Sequence, residues 1–187
     1  MSAPRHKVWD ESTRPHHDAG EHSTPVTDRG KAVAQSLLDV HGELRDQLGQ
    51  LQELASNVLA DRIEPAAARP MLQEMAMRKN NWTLGAYCSA YCMFVAGHHS
   101  GEDHEIFPRL RRRDPKLTPV LGRLQDEHVV IHDLLEGVDR ALVKLVQGRV
   151  EAATDLQDVV DTLSDALLSH LSYEENELLA PMAVHFG

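Results

Sequence analysis

Apolar residues along most of this chain recur at steps of three and four, the period of one face of an α-helix. From Lys31 to about Asp61 the positions Val33, Leu37, Val40, Leu44, Leu48, Leu51, Leu54 and Val58 trace one such face. Pro65 and Pro70 interrupt it, Ala66 to Arg78 reads as a short helical connector, and Asn80 and Asn81 offer an N-cap to a helix starting near Trp82. That second helix runs through Leu84, Tyr87, Tyr91, Phe94, His98 and Glu102 and ends around Arg113, ahead of Pro115. A third spans about Leu117 to Val146 through Val120, Leu124, His128, Ile131, Leu135, Val138, Leu142 and Leu145, with Gly148 as its C-terminal cap. A fourth covers about Ala152 to Ala180. No alternating stretch of strand type and no Asn-Gly or Asp-Gly hairpin signal lies between them. The pattern predicts an all-α chain: an up-down-up-down four-helix bundle with a short extra helix between helices 1 and 2.

Residues 1–29 read differently. Pro4, Pro15 and Pro25 stand among Ser, Thr, Asp and Gly with no helical period, which predicts a flexible N-terminal arm ahead of a bundle over 30–187. Its His6, His16, His17 and His22 share no fixed spacing and are read as part of a solvated tail, outside any site. A formal net charge of −10 repels phosphate backbones and acidic bilayers, which argues against nucleic-acid and membrane partners. No apolar run is long enough to span a bilayer and no secretory signal is evident, so the expected location is cytoplasmic. Cys88 and Cys92 are then free thiols on one helix face, read as small buried side chains. The basic run of Arg109, Arg111, Arg112 and Arg113 complements a helix C-terminus and is not taken as a phosphate site.

Composition changes this picture at one point: twelve histidines stand beside two Trp, three Tyr and three Phe. Residues four apart on a helix lie one turn above each other, so a His at i and a carboxylate at i+4 converge. Helix 2 carries His98 and Glu102, helix 3 His128 and His132, helix 4 His170 and Glu174, and helix 1 offers His41 on its apolar face. Burying five imidazoles and two carboxylates without partners costs several kcal/mol, and a cation of high charge resolves them together. Seven donors exceed one tetrahedral zinc, whereas two six-coordinate ions bridged by carboxylates use them all and leave an open position; two irons fit best. His128-Val-Val-Ile-His132 lacks the Glu of a zinc protease, and each carboxylate follows its histidine instead of preceding it as in ferritin-like bundles. A weak internal repeat pairs Asp39-Val-His41 and Arg45 with Asp126-Glu-His128 and His132, and His98/Glu102 with His170/Glu174. Arg45 in the place of His132 predicts two inequivalent metals.

The stretches His98-His-Ser-Gly-Glu-Asp-His-Glu-Ile-Phe-Pro108, Glu127-His-Val-Val-Ile-His132 and His170-Leu-Ser-Tyr-Glu-Glu175 resemble, in combination, the single-domain bacterial hemerythrin-like proteins. The resemblance covers about residues 32 to 185. It implies two non-haem irons in an oxo- or hydroxo-bridged centre, with Glu102 and Glu174 as bridges, His128, His132 and His170 on one iron, and His41 and His98 on the other. It further implies that the five-coordinate iron binds dioxygen. Two choices stay open in this reading: His99 is an adjacent-register alternative or extra ligand, and Glu175 an alternative to Glu174. Tyr91, two turns before His98, either reaches the bound ligand or fills core. Three functions follow: a binding protein that stores or senses dioxygen, nitric oxide or iron; an enzyme degrading hydrogen peroxide or reducing nitric oxide; or a helical interaction protein that holds no metal.

Overall fold

The computed structural model describes residues 8–17, 26–63, 85, 88–149 and 151–187. The connector helix over 66–78, the Asn80/Asn81 cap and the helix start near Trp82 lie outside the described residues, as do His6 and His22. All regular structure among the described residues is helical. α1 is Asp28–Ile63. α2 covers 88–113, with a single π-turn at Glu102–Ile106 before its last segment, Phe107–Arg113. α3 is Thr118–Val146 and α4 is Ala152–His185. The four long helices and their buried faces bear out the bundle expected from the apolar spacing. No helix of the described residues is long and apolar enough to cross a membrane.

Local chemistry sets the turns. Pro108 has no N–H for the carbonyl one turn back, and its ring crowds that carbonyl. The chain opens just ahead of it into the π-turn, which closes with Phe107 N–H donating to the Glu102 carbonyl. Asp114, held extended ahead of Pro115, ends α2 and accepts from the Lys116 N–H at 3.1 Å, so one 3-10 turn, Pro115–Leu117, suffices to reach α3. Gly148 takes φ +74° and its N–H donates to the Leu145 carbonyl, the left-handed end that favours glycine. α4 outruns its expected end at Ala180. Pro181 lies inside it, and Met182 and Phe186 beyond are buried, so apolar burial offsets the lost backbone hydrogen bond. Near the start of α1, a Cβ on Gly30 would overlap the Ala183 carbonyl, which marks a close crossing of α1 and α4.

The interior is layered. One apolar cluster holds Leu44, Leu48, Leu51, Tyr91, Val95, Ile131, Leu135, Leu163 and Leu167, among others. A second holds Leu37, Phe107, Leu110, Leu121, Leu124, Tyr173 and Leu178. Between them all four helices pass through a polar stratum: His41 on α1, His99 and Glu102 on α2, Glu127 and His128 on α3, and His170 and Glu174 on α4, all buried. Residues 8–17 do not behave as the free arm expected of 1–29. They form a 3-10 turn at Glu11–Thr13 and pack on the bundle, with Trp9 against the larger apolar cluster.

Candidate metal centre

Two sets of donor atoms converge within the polar stratum. His99, His128 and His170 form one group; His41, His98, Glu102 and Glu174 form the other, and within each group the donor atoms lie within 4.8 Å of one another. The carboxylates stand between the groups. Glu102 Oε1 is 3.2 Å from His98 Nε2, and its Oε2 is 3.5 Å from His128 Nε2. Glu174 Oε2 is 3.4 Å from His41 Nε2 and 3.7 Å from His170 Nε2. Each glutamate therefore touches a histidine of either group, the disposition a bridging carboxylate needs.

His41 Nε2 and His98 Nε2 face each other at 3.2 Å, and the other polar atoms aimed into this space are left without partners. Nε2 of His99, His128 and His170, and both side-chain oxygens of Glu102 and of Glu174, are buried and make no hydrogen bond. A folded protein tolerates few such atoms, each costing about 1–3 kcal/mol, and here they share one interior space. A cation satisfies all of them at once, so the residues present fit a metal.

The outward-facing ring nitrogens are partnered. His41 Nδ1 lies 2.8 Å from Glu175 Oε1, His128 Nδ1 3.0 Å from Asp103 Oδ1, and His170 Nδ1 3.1 Å from Glu127 Oε2. A carboxylate on Nδ1 selects the tautomer that carries its proton there and leaves Nε2 as a lone pair directed inward. Arginines hold two of these carboxylates in turn: Arg45 donates to Glu175 at 2.7 Å, and Arg14 and Arg123 donate to Glu127.

Protonation states follow from this environment. Burial, with help from the neighbouring histidines and against Glu174, lowers the His98 imidazole to about 4. Burial and the surrounding imidazoles hold His99 well below the ordinary histidine range, and burial lowers His170 despite Glu127 and Glu174. Neutral imidazole is the form that ligates metals. Burial works to raise Glu127, but its bonds from His170, Arg14 and Arg123 prevail and hold it near 2, a fixed anion. Burial and the adjacent Glu174 push the Glu102 carboxyl well up, whereas His41, His170 and His98 overcome desolvation and keep Glu174 down to about 2. Burial first, and then the Glu174 anion beside it, thus favour the protonated form of Glu102.

Of the seven residues expected at the site, the structure brings together His41, His98, Glu102, His128, His170 and Glu174, and it does not bring His132. That residue is corrected: its side chain is 61% exposed and sits 3.6 Å from Glu136 on the outside of α3. The buried stripe of α3 steps from Leu124 to His128 and then to Ile131 and Leu135, so Ile131 takes the inward direction and His132 falls past its edge. The third histidine grouped with His128 and His170 is instead His99, whose ring stacks on His128 at 4.0 Å between centroids and 8° between planes. Successive helical residues point about 100° apart, and α2 lies at the seam of the two groups, so His98 serves one and His99 the other. The internal repeat survives in altered form. Arg45, the counterpart of His132, also faces outward, 31% exposed and bound to Glu175, and the unequal nitrogen count originates in the His98-His99 pair.

Other expectations resolve simply. Glu175 braces His41 while Glu174 faces the interior space. Tyr91 is fully buried and its hydroxyl donates to the Leu44 carbonyl at 3.4 Å, which gives the core-filling role a partner. Cys88 and Cys92 are both free; burial first, then nearby negative charge, pushes their thiols up to about 12 and about 11, far from a reactive thiolate. The residues missed in the sequence are the braces Glu127, Arg14 and Arg123, while Asp103, whose spacing offers it as an i,i+4 partner of His99, braces His128 instead. Glu127 had a visible signal, since it stands one position before His128 and three after Leu124 on the same stripe.

A family model for the hemerythrin HHE cation-binding domain matches residues 32–182. The chain belongs to that family, and its helical bundle is a metal-binding domain. No curated protein and no solved structure matches the chain.

Proposed function

We propose that this protein holds two iron ions between its helices and binds dioxygen or a related small ligand, such as nitric oxide or peroxide, beside them. His99, His128 and His170 would hold one ion and His41 and His98 the other, with Glu102 and Glu174 within reach of both groups. The observation that carries this reading is the set of unpartnered buried atoms, Nε2 of three histidines and four carboxylate oxygens, directed into one space with both glutamates spanning the two histidine groups. Mixed imidazole and carboxylate donors suit iron, and bridging carboxylates suit a pair of ions over a single one.

The donor count also gives a direction to ligand binding. Three nitrogens line one group and two the other, so an ion held by His41 and His98 would have the fewer protein donors and the more room for an incoming molecule. When bound, two irons would supply the redox chemistry, and these residues would hold them. The chain's own part is to keep the space dry: His41, His170 and Glu174 are fully enclosed between the two apolar clusters, which exclude water. The free thiols suit a reducing cytoplasm.

Metal analysis of untagged protein tests the reading, together with visible spectra taken before reduction, after it, and on return to air. Two irons per chain and an absorption band that is lost on reduction and restored by air are expected. No metal, or a single zinc, overturns it, and sustained consumption of added peroxide moves the function from binding to catalysis.

A further inference from the structure

We propose that residues 8–17 are a built part of the metal centre, a strap whose Arg14 orients the His170 ring through Glu127; this rests on the metal reading above. Arg14 grips Glu127 with two parallel bonds, Nε to Oε1 at 2.9 Å and Nη2 to Oε2 at 3.0 Å, the planar fork that fixes a carboxylate in orientation as well as in place. Arg123 adds a bond to Oε1 at 2.8 Å. With Oε1 taken by two arginines, Oε2 is the oxygen turned to His170 Nδ1, at 3.1 Å. The Nδ1 proton is thereby set, and Nε2 points at Glu174 and the interior.

The strap that delivers Arg14 is held at several points. The guanidinium lies 4.6 Å from the centre of the Tyr173 ring, and the Tyr173 hydroxyl donates to the Pro15 carbonyl at 2.6 Å. The His17 N–H donates to Glu177 Oε2 at 2.7 Å, and the His17 ring, 3% exposed, sits 2.9 Å from Asp114. Arg14 itself is 8% exposed and Glu127 2%. The other two braces have no such cover: Asp103 is 28% and Glu175 19% exposed, and Arg45 behind Glu175 is 31% exposed. Among the described residues, the brace of His170 is the one completed from outside the four helices. The histidines of the tail, expected to be solvated, include one that pins the strap.

The test compares the full-length wild type with Arg14→Ala and Arg14→Lys by two readouts. In metal-free protein, nitrogen-15 NMR of the histidine rings reports the His170 tautomer. In iron-loaded protein, the rate of iron transfer to a chelator reports retention. Wild type is expected to show a single Nδ1-protonated His170. Arg14→Ala is expected to show a mixture of tautomers and iron release faster by on the order of ten-fold, with Arg14→Lys partly restoring both. An unchanged tautomer overturns the proposal even where release quickens, because loosened packing alone explains that. An altered tautomer with unchanged release overturns the strap's place in the metal centre. Should wild type take up no metal, the metal reading falls and the tautomer comparison alone decides whether Arg14 orients His170.

Discussion

The apolar cluster around Leu48 and Leu163 and the polar stratum beside it are crossed by the same four helices, yet they are specified in different ways. In the cluster, Leu, Val, Ile and Ala fill volume, and the requirement on each position is size and shape. In the stratum, direction decides. Three outward ring nitrogens each meet a carboxylate, two of those carboxylates are held by arginines, and three inward ring nitrogens and four carboxylate oxygens are left for a cation. The apolar cluster supplies the stability that the stratum spends, since the metal-free stratum keeps buried polar atoms without partners.

That contrast can be broken at either end. The largest loss of stability is expected in the cluster: Leu163→Ala, at a fully buried position, should cost about 2–5 kcal/mol and lower the melting temperature of the metal-free protein by roughly 10 °C, while iron per chain stays at the wild-type value. In the stratum the order reverses. Glu102→Gln removes a carboxylate whose oxygens make no hydrogen bond, so the metal-free melting point should move by no more than about 1 kcal/mol equivalent. Iron binding should nevertheless fall to one ion or none. A large metal-free destabilisation by this substitution would show that the stratum is sustained by its own contacts.

Smaller effects sharpen the boundary. The raised thiols of Cys88 and Cys92 predict slow alkylation by iodoacetamide at pH 8, accelerating only towards pH 11. Since both are raised in the folded state above the ordinary thiol value of 9.0, their contribution to stability is present below pH 9 and is lost as the pH climbs from 9 towards 11–12. Rapid labelling at pH 8 would place them outside the cluster. Smallest of all, His132→Ala should leave both melting temperature, within about 0.5 kcal/mol, and iron content unchanged, because that side chain faces solvent. Loss of iron in this variant would restore it to the ligand set.

Much of the bundle was legible because apolar spacing is a one-dimensional record of which helix face is inward. The same record held the clue to His132. The stripe through Leu124, His128, Ile131 and Leu135 already assigns the inward direction to Ile131, while the i,i+4 rule taken alone favoured His132. His98 and His99 posed the opposite problem: adjacent positions on a helix do not share a face, so spacing forces a choice between them. Only the placement of α2 against both neighbours lets the two rings serve separate groups.

By itself, then, the sequence determined four amphipathic helices, the turns at Pro115 and Gly148, and at least one candidate histidine on every helix, because local periodicity and turn chemistry are properties of neighbouring residues. Tertiary structure alone decided which histidine supplies the third nitrogen, that Glu174 faces inward while Glu175 braces His41, and that a proline-bearing N-terminal segment reaches Glu127 from 113 positions away. Those outcomes depend on the rotation of each helix about its axis and on contacts between segments far apart in the chain, and neither is written in the spacing of any one segment.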